Sequence, residues 1–142
     1  MSLLTDLGPH FFCDTSFFYA CLDSRDTNSA RARVFLQEAV ATTCLFYCTW
    51  DIISETATLL RYRCTYSRAM RFLDEVKPTL RVVPYDDSVR SQAEDVFRRL
   101  GKDKKLSFCD ALSFVVVTTL LDGMPCLSFD RDFKRLGLTV LN

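Results

Sequence analysis

The chain predicts an α/β fold, a parallel sheet with helices on both faces. Two observations carry this. Short apolar runs alternate with longer segments of helical spacing, which is the order of βαβ units. The short runs are apolar throughout rather than alternating, as strands buried on both faces are. With 142 residues, one domain over 1–142 is expected. A chain of that size buries about 68–70% of its unfolded surface without staples. No repeat, linker or low-complexity segment interrupts it.

Residues 10–13, HFFC, read as the first strand, with Asp14, Thr15 and Ser16 at its end. FFYACL at 17–22 continues as a first helix, and 23–28 is a charged, turn-rich loop. From Ser29, Ala30, Val34 and Phe35/Leu36 recur near helical spacing, which predicts a second helix. Residues 44–49, CLFYCT, are β-like and too short for an independent helix. Asp51 is expected to cap the next helix. That helix sets Ile53, Ala57, Leu60 and Cys64 on one face, with Glu55 at the face's edge.

Residues 67–76 predict a further helix, ended before Pro78. RVVPY at 81–85 is a strand candidate whose Pro84 suits a strand end or sheet edge. Asp87 is expected to cap a helix through Leu100, with Gly101 as its stop. GKDKKL at 101–106 is a basic loop. Ser107 opens a long apolar helix that ends near Gly123 and Pro125. The apolar strand 125–129 then delivers Asp130, DFKRLG makes a helical turn, and LTVL is a last short strand.

Lys and Arg number 18, as do Asp and Glu, so no global field draws nucleic acid. An RNA partner must be attracted by a local basic patch. The seven cysteines are odd in number and lie mostly in apolar runs. Cys44 and Cys48 are spaced CxxxC, but there is no second close pair and His10 is the only histidine. This favours reduced, buried thiols in a cytoplasmic protein over a zinc site. No Lys or Arg precedes Arg25, so the basic region of a signal peptide is missing. The longest apolar run is too short to span a bilayer and contains Asp110. Twelve Phe and five Tyr exceed what a core this size must bury, so an exposed apolar groove is expected.

The acids carry the chemistry. Asp14 ends the first strand, Glu55 lies near the start of the helix after the second, Asp110 lies in the first turn of the long helix and Asp130 ends the late strand. In a parallel α/β fold all four fall at the carboxyl edge of the sheet, where ligand sites form. Carboxylates converging in one cleft repel, and some must hold protons at neutral pH unless a cation sits among them. Mg²⁺ or Mn²⁺ suits such an oxygen-only set. Each acid also has a local reading. Asp14 fits a helix cap, Glu55 a solvated helix residue, and Ser107-x-x-Asp110 a capping box. Asp130 or Asp132 equally fits a cap for the following turn. Asp110 shares a face with Phe114 and Val117, so it is expected to point at buried surface as well.

Four segments carry a resemblance. They are CDTSFFYACLDSRDTNSARA, TWDIISETATLL, LSFCDALSFVVVTTL and CLSFDRDFKRLGLTVL. Together they resemble the PIN-domain nucleases nearly end to end, most closely VapC-type toxins of prokaryotic toxin–antitoxin pairs. Ser128 stands where the family's closing motif has Thr. The resemblance implies a three-layer fold with sheet order 3-2-1-4-5. It implies that Asp14 and Asp110 are the main metal ligands, with Glu55 and Asp130 holding a second ion or orienting water. It favours Asp130 over Asp132 as the fourth acid and makes Ser16 and Ser128 hydroxyl supports.

The expected function is a Mg²⁺- or Mn²⁺-dependent endoribonuclease, the toxin of a pair, that cleaves RNA by a metal-activated water. Lys102, Lys104, Lys105 and Arg131 are candidates for phosphate contact. An antitoxin peptide and a homodimer are the implied protein partners. The alternative is a catalytically silent PIN-like module that binds RNA or protein. A phospho-acceptor receiver also clusters acids at a sheet edge. It needs a Lys at the end of a late strand, where this chain has Asp130.

Overall fold

The computed structural model describes residues 9–141. The elements in order are β1 (His10–Cys13), α1 (Thr15–Leu22), α2 (Ser29–Ala41), β2 (Leu45–Cys48) and α3 (Trp50–Arg63). Then come α4 (Tyr66–Arg71), β3 (Arg81–Val82), α5 (Asp87–Leu100), α6 (Phe108–Leu120), β4 (Cys126–Leu127), α7 (Arg131–Lys134) and β5 (Val140–Leu141). The sheet is all parallel, ordered β3-β2-β1-β4-β5, as the resemblance implied. Residues 1–8, the first part of the stretch read for a leader, lie outside the described residues.

The layers follow from the strand order. The path β1→β2→β3 steps one way across the sheet, and β3→β4→β5 steps back the other. Right-handed crossovers then put α1–α4 on one face and α5–α7 on the other. Accordingly α1 packs on α2 and α3, α3 on α4, and α5 on α6. Between the layers lie Phe11, Phe12, Phe17, Ile52, Ile53, Leu60, Leu112, Val116, Leu127 and Phe133, all at most 1% exposed. All seven cysteines are free thiols, and Cys13, Cys48 and Cys126 are buried in the central strands. Among the described residues no helix is long and apolar enough to cross a membrane.

Several boundaries differ from expectation. Thr49, not Asp51, caps α3: its hydroxyl accepts from the Ile52 N–H at 3.3 Å. Asp51 lies in the first turn and accepts from the Tyr85 hydroxyl at 2.6 Å. Asp86, not Asp87, caps α5 by accepting from Val89 N–H at 3.2 Å, while Asp87 pairs with Arg90 at 2.8 Å. In each case the capping residue is the one with extended backbone, which sequence does not display.

The helix expected over 67–76 is α4 followed by a π-helical turn, Phe72–Val76, and Pro78 enters a 3₁₀ turn, Lys77–Thr79. Gly101 does end α5, but with φ −70° rather than in the left-handed region. Its need for glycine is steric, because a Cβ there would lie 2.5 Å from the Phe97 carbonyl oxygen. The strands expected over 81–85 and 125–129 pair through only two residues each. Beyond the first pairing the Val83 N–H still donates to the Cys48 carbonyl at 2.9 Å, and Pro84 follows with its nitrogen toward the open sheet edge, where no donor is needed; Ser128 leaves the second to serve the site.

Candidate functional site

β1 and β4 are neighbours at the point where the strand order reverses. Their connections depart on opposite faces, which opens a crevice beyond their carboxyl ends. Asp14 leaves β1 into it and Ser128 leaves β4 into it.

Asp14 occupies the N-cap position of α1 but makes no side-chain cap bond. Its Oδ2 accepts from Ser16 Oγ and from Ser128 Oγ, both at 2.9 Å. Ser16 Oγ accepts from the Phe129 N–H at 2.9 Å, and Ser128 Oγ from the Asp130 N–H at 3.1 Å. Each hydroxyl thus spends its one proton on Asp14 and is itself oriented by a backbone N–H of the β4 exit.

Asp110 combines the two roles its sequence context offered. It completes a capping box: its backbone N–H donates to Ser107 Oγ at 3.0 Å, and its Oδ2 accepts from Ser107 N–H at 3.2 Å. It is also buried. Asp130 caps α7 through Oδ1, which accepts from the Asp132 N–H at 2.9 Å. One carboxylate oxygen each from Asp14, Asp110 and Asp130 lies within 4.8 Å of the other two. Glu55, half-buried on α3, lines the same cleft of about 370 Å³ but stands outside that triad. Asp132 pairs with Arg135 at 3.3 Å and is not in the lining.

Burial, then the charges of Asp14 and Asp130, push the Asp110 carboxyl up to about 7. Burial also raises Asp14, against the lowering pull of its two serine donors. Carboxyl groups in this state are crowded by like charge, and a cation among them relieves it. The donor set fits a hard divalent ion: it is all oxygen, and among the described residues no other cluster of His, Cys, Asp or Glu has ligating geometry. Thr15 Oγ1, buried in the same lining, has no hydrogen-bond partner. Cys109 is driven far toward the neutral thiol by burial and by Glu55, Asp14 and Asp110, which leaves it unreactive.

Of the basic candidates, Lys105 lines the cleft and Lys102, Lys104 and Arg131 do not. Lys104 Nζ instead donates to the Arg135 carbonyl at 3.4 Å. The lining also holds Tyr19, Asp26, Asn28 and Arg63, which sequence reasoning did not single out. Arg63 had a signal available. Glu55, Leu59 and Arg63 are spaced i, i+4, i+8 on one helix, so they share a face.

A second, mostly apolar groove of about 600 Å³ runs between α1, α2 and the α4 region. Phe18, Cys21, Leu36 and Val40 help line it, with Arg33 and Arg71 beside them.

A family profile described as PIN domain matches residues 11–138. Among solved structures, VapC20 of Mycobacterium tuberculosis, a sarcin–ricin loop cleaving toxin, is similar with TM-score 0.75 and 26% identity. That match covers 90% of this chain and 95% of the other. FitAcB of Neisseria gonorrhoeae has TM-score 0.66 and 14% identity over 93% of this chain and 96% of its own, a likeness of fold. No curated protein matches the sequence significantly.

Proposed function

The chain belongs to the PIN-domain family, and from that premise we propose that it is a metal-dependent endoribonuclease and the toxin of a toxin–antitoxin pair. One observation carries the proposal: three carboxylate oxygens from distant parts of the chain, those of Asp14, Asp110 and Asp130, within 4.8 Å of one another in an open cleft. The likeness to VapC20 supports RNA as the substrate and makes the sarcin–ricin loop the first RNA to try.

Asp14, Asp110 and Asp130 would hold Mg²⁺ or Mn²⁺, and Glu55 faces the same space from α3. When bound, such an ion activates water and neutralises charge developing on a phosphodiester. The residues set the geometry. Ser16 and Ser128 fix the rotamer of Asp14 and hold it toward the charged form. The capping box fixes Asp110, and the α7 cap fixes Asp130. Glu55, outside the triad, is placed to accept a proton from, or orient, the attacking water.

The test is RNA cleavage with Mn²⁺ and with EDTA, for the wild type and Asp110→Asn. Cleavage that survives EDTA, or full activity in the variant, rejects the mechanism. A silent RNA- or protein-binding module is the other reading. Absence of thermal stabilisation by millimolar Mn²⁺ would favour it. We place the antitoxin in the apolar groove beside α2, and a homodimer remains part of the proposal. Phe97 of α5 and Phe108 of α6, an exposed edge-to-face pair with centroids 5.7 Å apart, give sedimentation experiments a surface to mutate.

A further inference from the structure

Resting on the nuclease reading, we propose that Arg63 is a substrate-positioning residue, binding a backbone phosphate of the RNA strand that crosses the carboxylate cleft. The cleft needs such a residue. Its lining carries five carboxylates, Asp14, Asp26, Glu55, Asp110 and Asp130, against two cations, Arg63 and Lys105. A polyanion meets net repulsion there, and the chain's overall charge of zero supplies no compensating field. Within the lining, attraction for a polyanion comes from these two side chains.

Arg63 suits the task by position. It follows Glu55 by eight residues on α3, or about 12 Å along the axis, and both line the same cleft. It is exposed, and among the described residues its guanidinium makes no hydrogen bond or ion pair despite five nearby acids. Its five N–H donors, set in a planar fork, match phosphate oxygens.

Its backbone, unlike its side chain, is tied down. Arg25 Nη2 donates to the Arg63 carbonyl at 2.7 Å, Arg25 Nε pairs with Asp23 at 3.1 Å, and the Tyr19 hydroxyl donates to Asp23 at 2.7 Å. This chain of bonds fastens the end of α3 to the loop whose Asp26 and Asn28 line the same cleft. Because the clamp uses only the carbonyl, the Arg63 side chain can be changed without breaking it. A cation in the last turn of α3 also favours the helix dipole. That role acts on stability and leaves RNA affinity and its salt dependence alone.

The experiment measures fluorescence anisotropy of a short single-stranded RNA on the full chain carrying Asp110→Asn, which is expected to leave the RNA uncut. Arg63→Gln and Arg63→Lys are added in that background, over about 50–200 mM salt. Arg63→Gln is expected to weaken binding about tenfold and to reduce the slope of log affinity against log salt by about 0.7. Arg63→Lys is expected to keep the slope. Thermal melts confirm that each variant is folded. An unchanged affinity and slope in Arg63→Gln, with the wild type cleaving RNA in Mn²⁺, overturns the inference and spares the nuclease reading. A wild type that neither cleaves nor binds RNA overturns both.

Discussion

Ser128, leaving β4, donates its hydroxyl proton to Asp14, leaving β1, across 2.9 Å, so the two adjacent strand ends are joined through the side chain at the centre of the site. Ser16 donates to the same oxygen at the same distance. A hydrogen bond to a charged group contributes about 1.5–3 kcal/mol, and groups that orient a metal ligand typically govern affinity 10–100-fold. Ser128→Ala is expected to weaken Mn²⁺ binding about tenfold by calorimetry, and Ser128→Thr to retain it. Because both serines serve one oxygen, Ser16→Ala and Ser128→Ala should not add independently. Wild-type Mn²⁺ affinity in Ser128→Ala would show the bond to be incidental.

Asp110 should make the metal-free protein less stable as pH rises. Its carboxyl, ordinarily near 3.8, is pushed up to about 7 by burial first and then by Asp14 and Asp130. Between those values the folded state holds a proton that the unfolded state has lost, so stability falls as pH rises through about 4 to 7 and is level above it. The displacement corresponds to at most about 4 kcal/mol. In EDTA, Asp110→Asn is therefore expected to melt higher than the wild type at pH 8 and to lose most of this slope. The Asn side chain can still accept from Ser107 N–H, so the helix cap survives. With Mn²⁺ the order should reverse, because only the wild type gains from the ion. A variant that melts lower than the wild type in EDTA at pH 8 would contradict the crowding.

Much of this is legible in the sequence. The strand and helix order was readable because the strands are apolar on both faces and the helices keep their spacing. Asp110 was readable twice over, as a cap residue and as an acid sharing a face with Phe114 and Val117, and both readings hold at once. The caps expected at Asp51 and Asp87 fall instead on Thr49 and Asp86. Asp86 and Asp87 differ only in backbone angle, and Thr49 competes with Asp51 on the same terms. The cleft's cations were harder still. Lys102, Lys104 and Lys105 are equivalent as composition, but the loop turns only Lys105 into the lining. Arg63 reads as an ordinary last-turn cation until α3 is laid beside the loop 23–28.

The Asp23 clamp makes a separate pH prediction of opposite sign. Its carboxyl is held down to about 2, first by hydrogen bonds from the Arg25 side chain and next by the Tyr19 hydroxyl. The ionised form is the one the fold prefers. Its contribution is therefore complete above about pH 4 and is lost as pH falls from there toward 2. Asp23→Asn should lower the melting temperature at pH 7 and flatten the acid side of the stability curve between those limits. Equal acid limbs for variant and wild type would show that the loop's fastening does not depend on this charge.

The groove beside α2 yields the last prediction. Val40 is 75% exposed and Leu36 40%, and both line an otherwise apolar groove with Arg33, Arg68 and Arg71 near them and Glu75 the one acid in the lining. Apolar side chains left in water at this density mark a surface that a partner covers. The surplus of arginine favours a partner segment that is apolar on one side and acidic on the other. Leu36→Lys/Val40→Lys puts two further charges on that floor without disturbing buried packing, so thermal melts should match the wild type. Co-expressed with the antitoxin of the proposed pair, the double variant should no longer co-purify with it and should arrest growth where the wild-type pair does not. Continued co-purification of the folded variant would move the antitoxin to another face of the molecule.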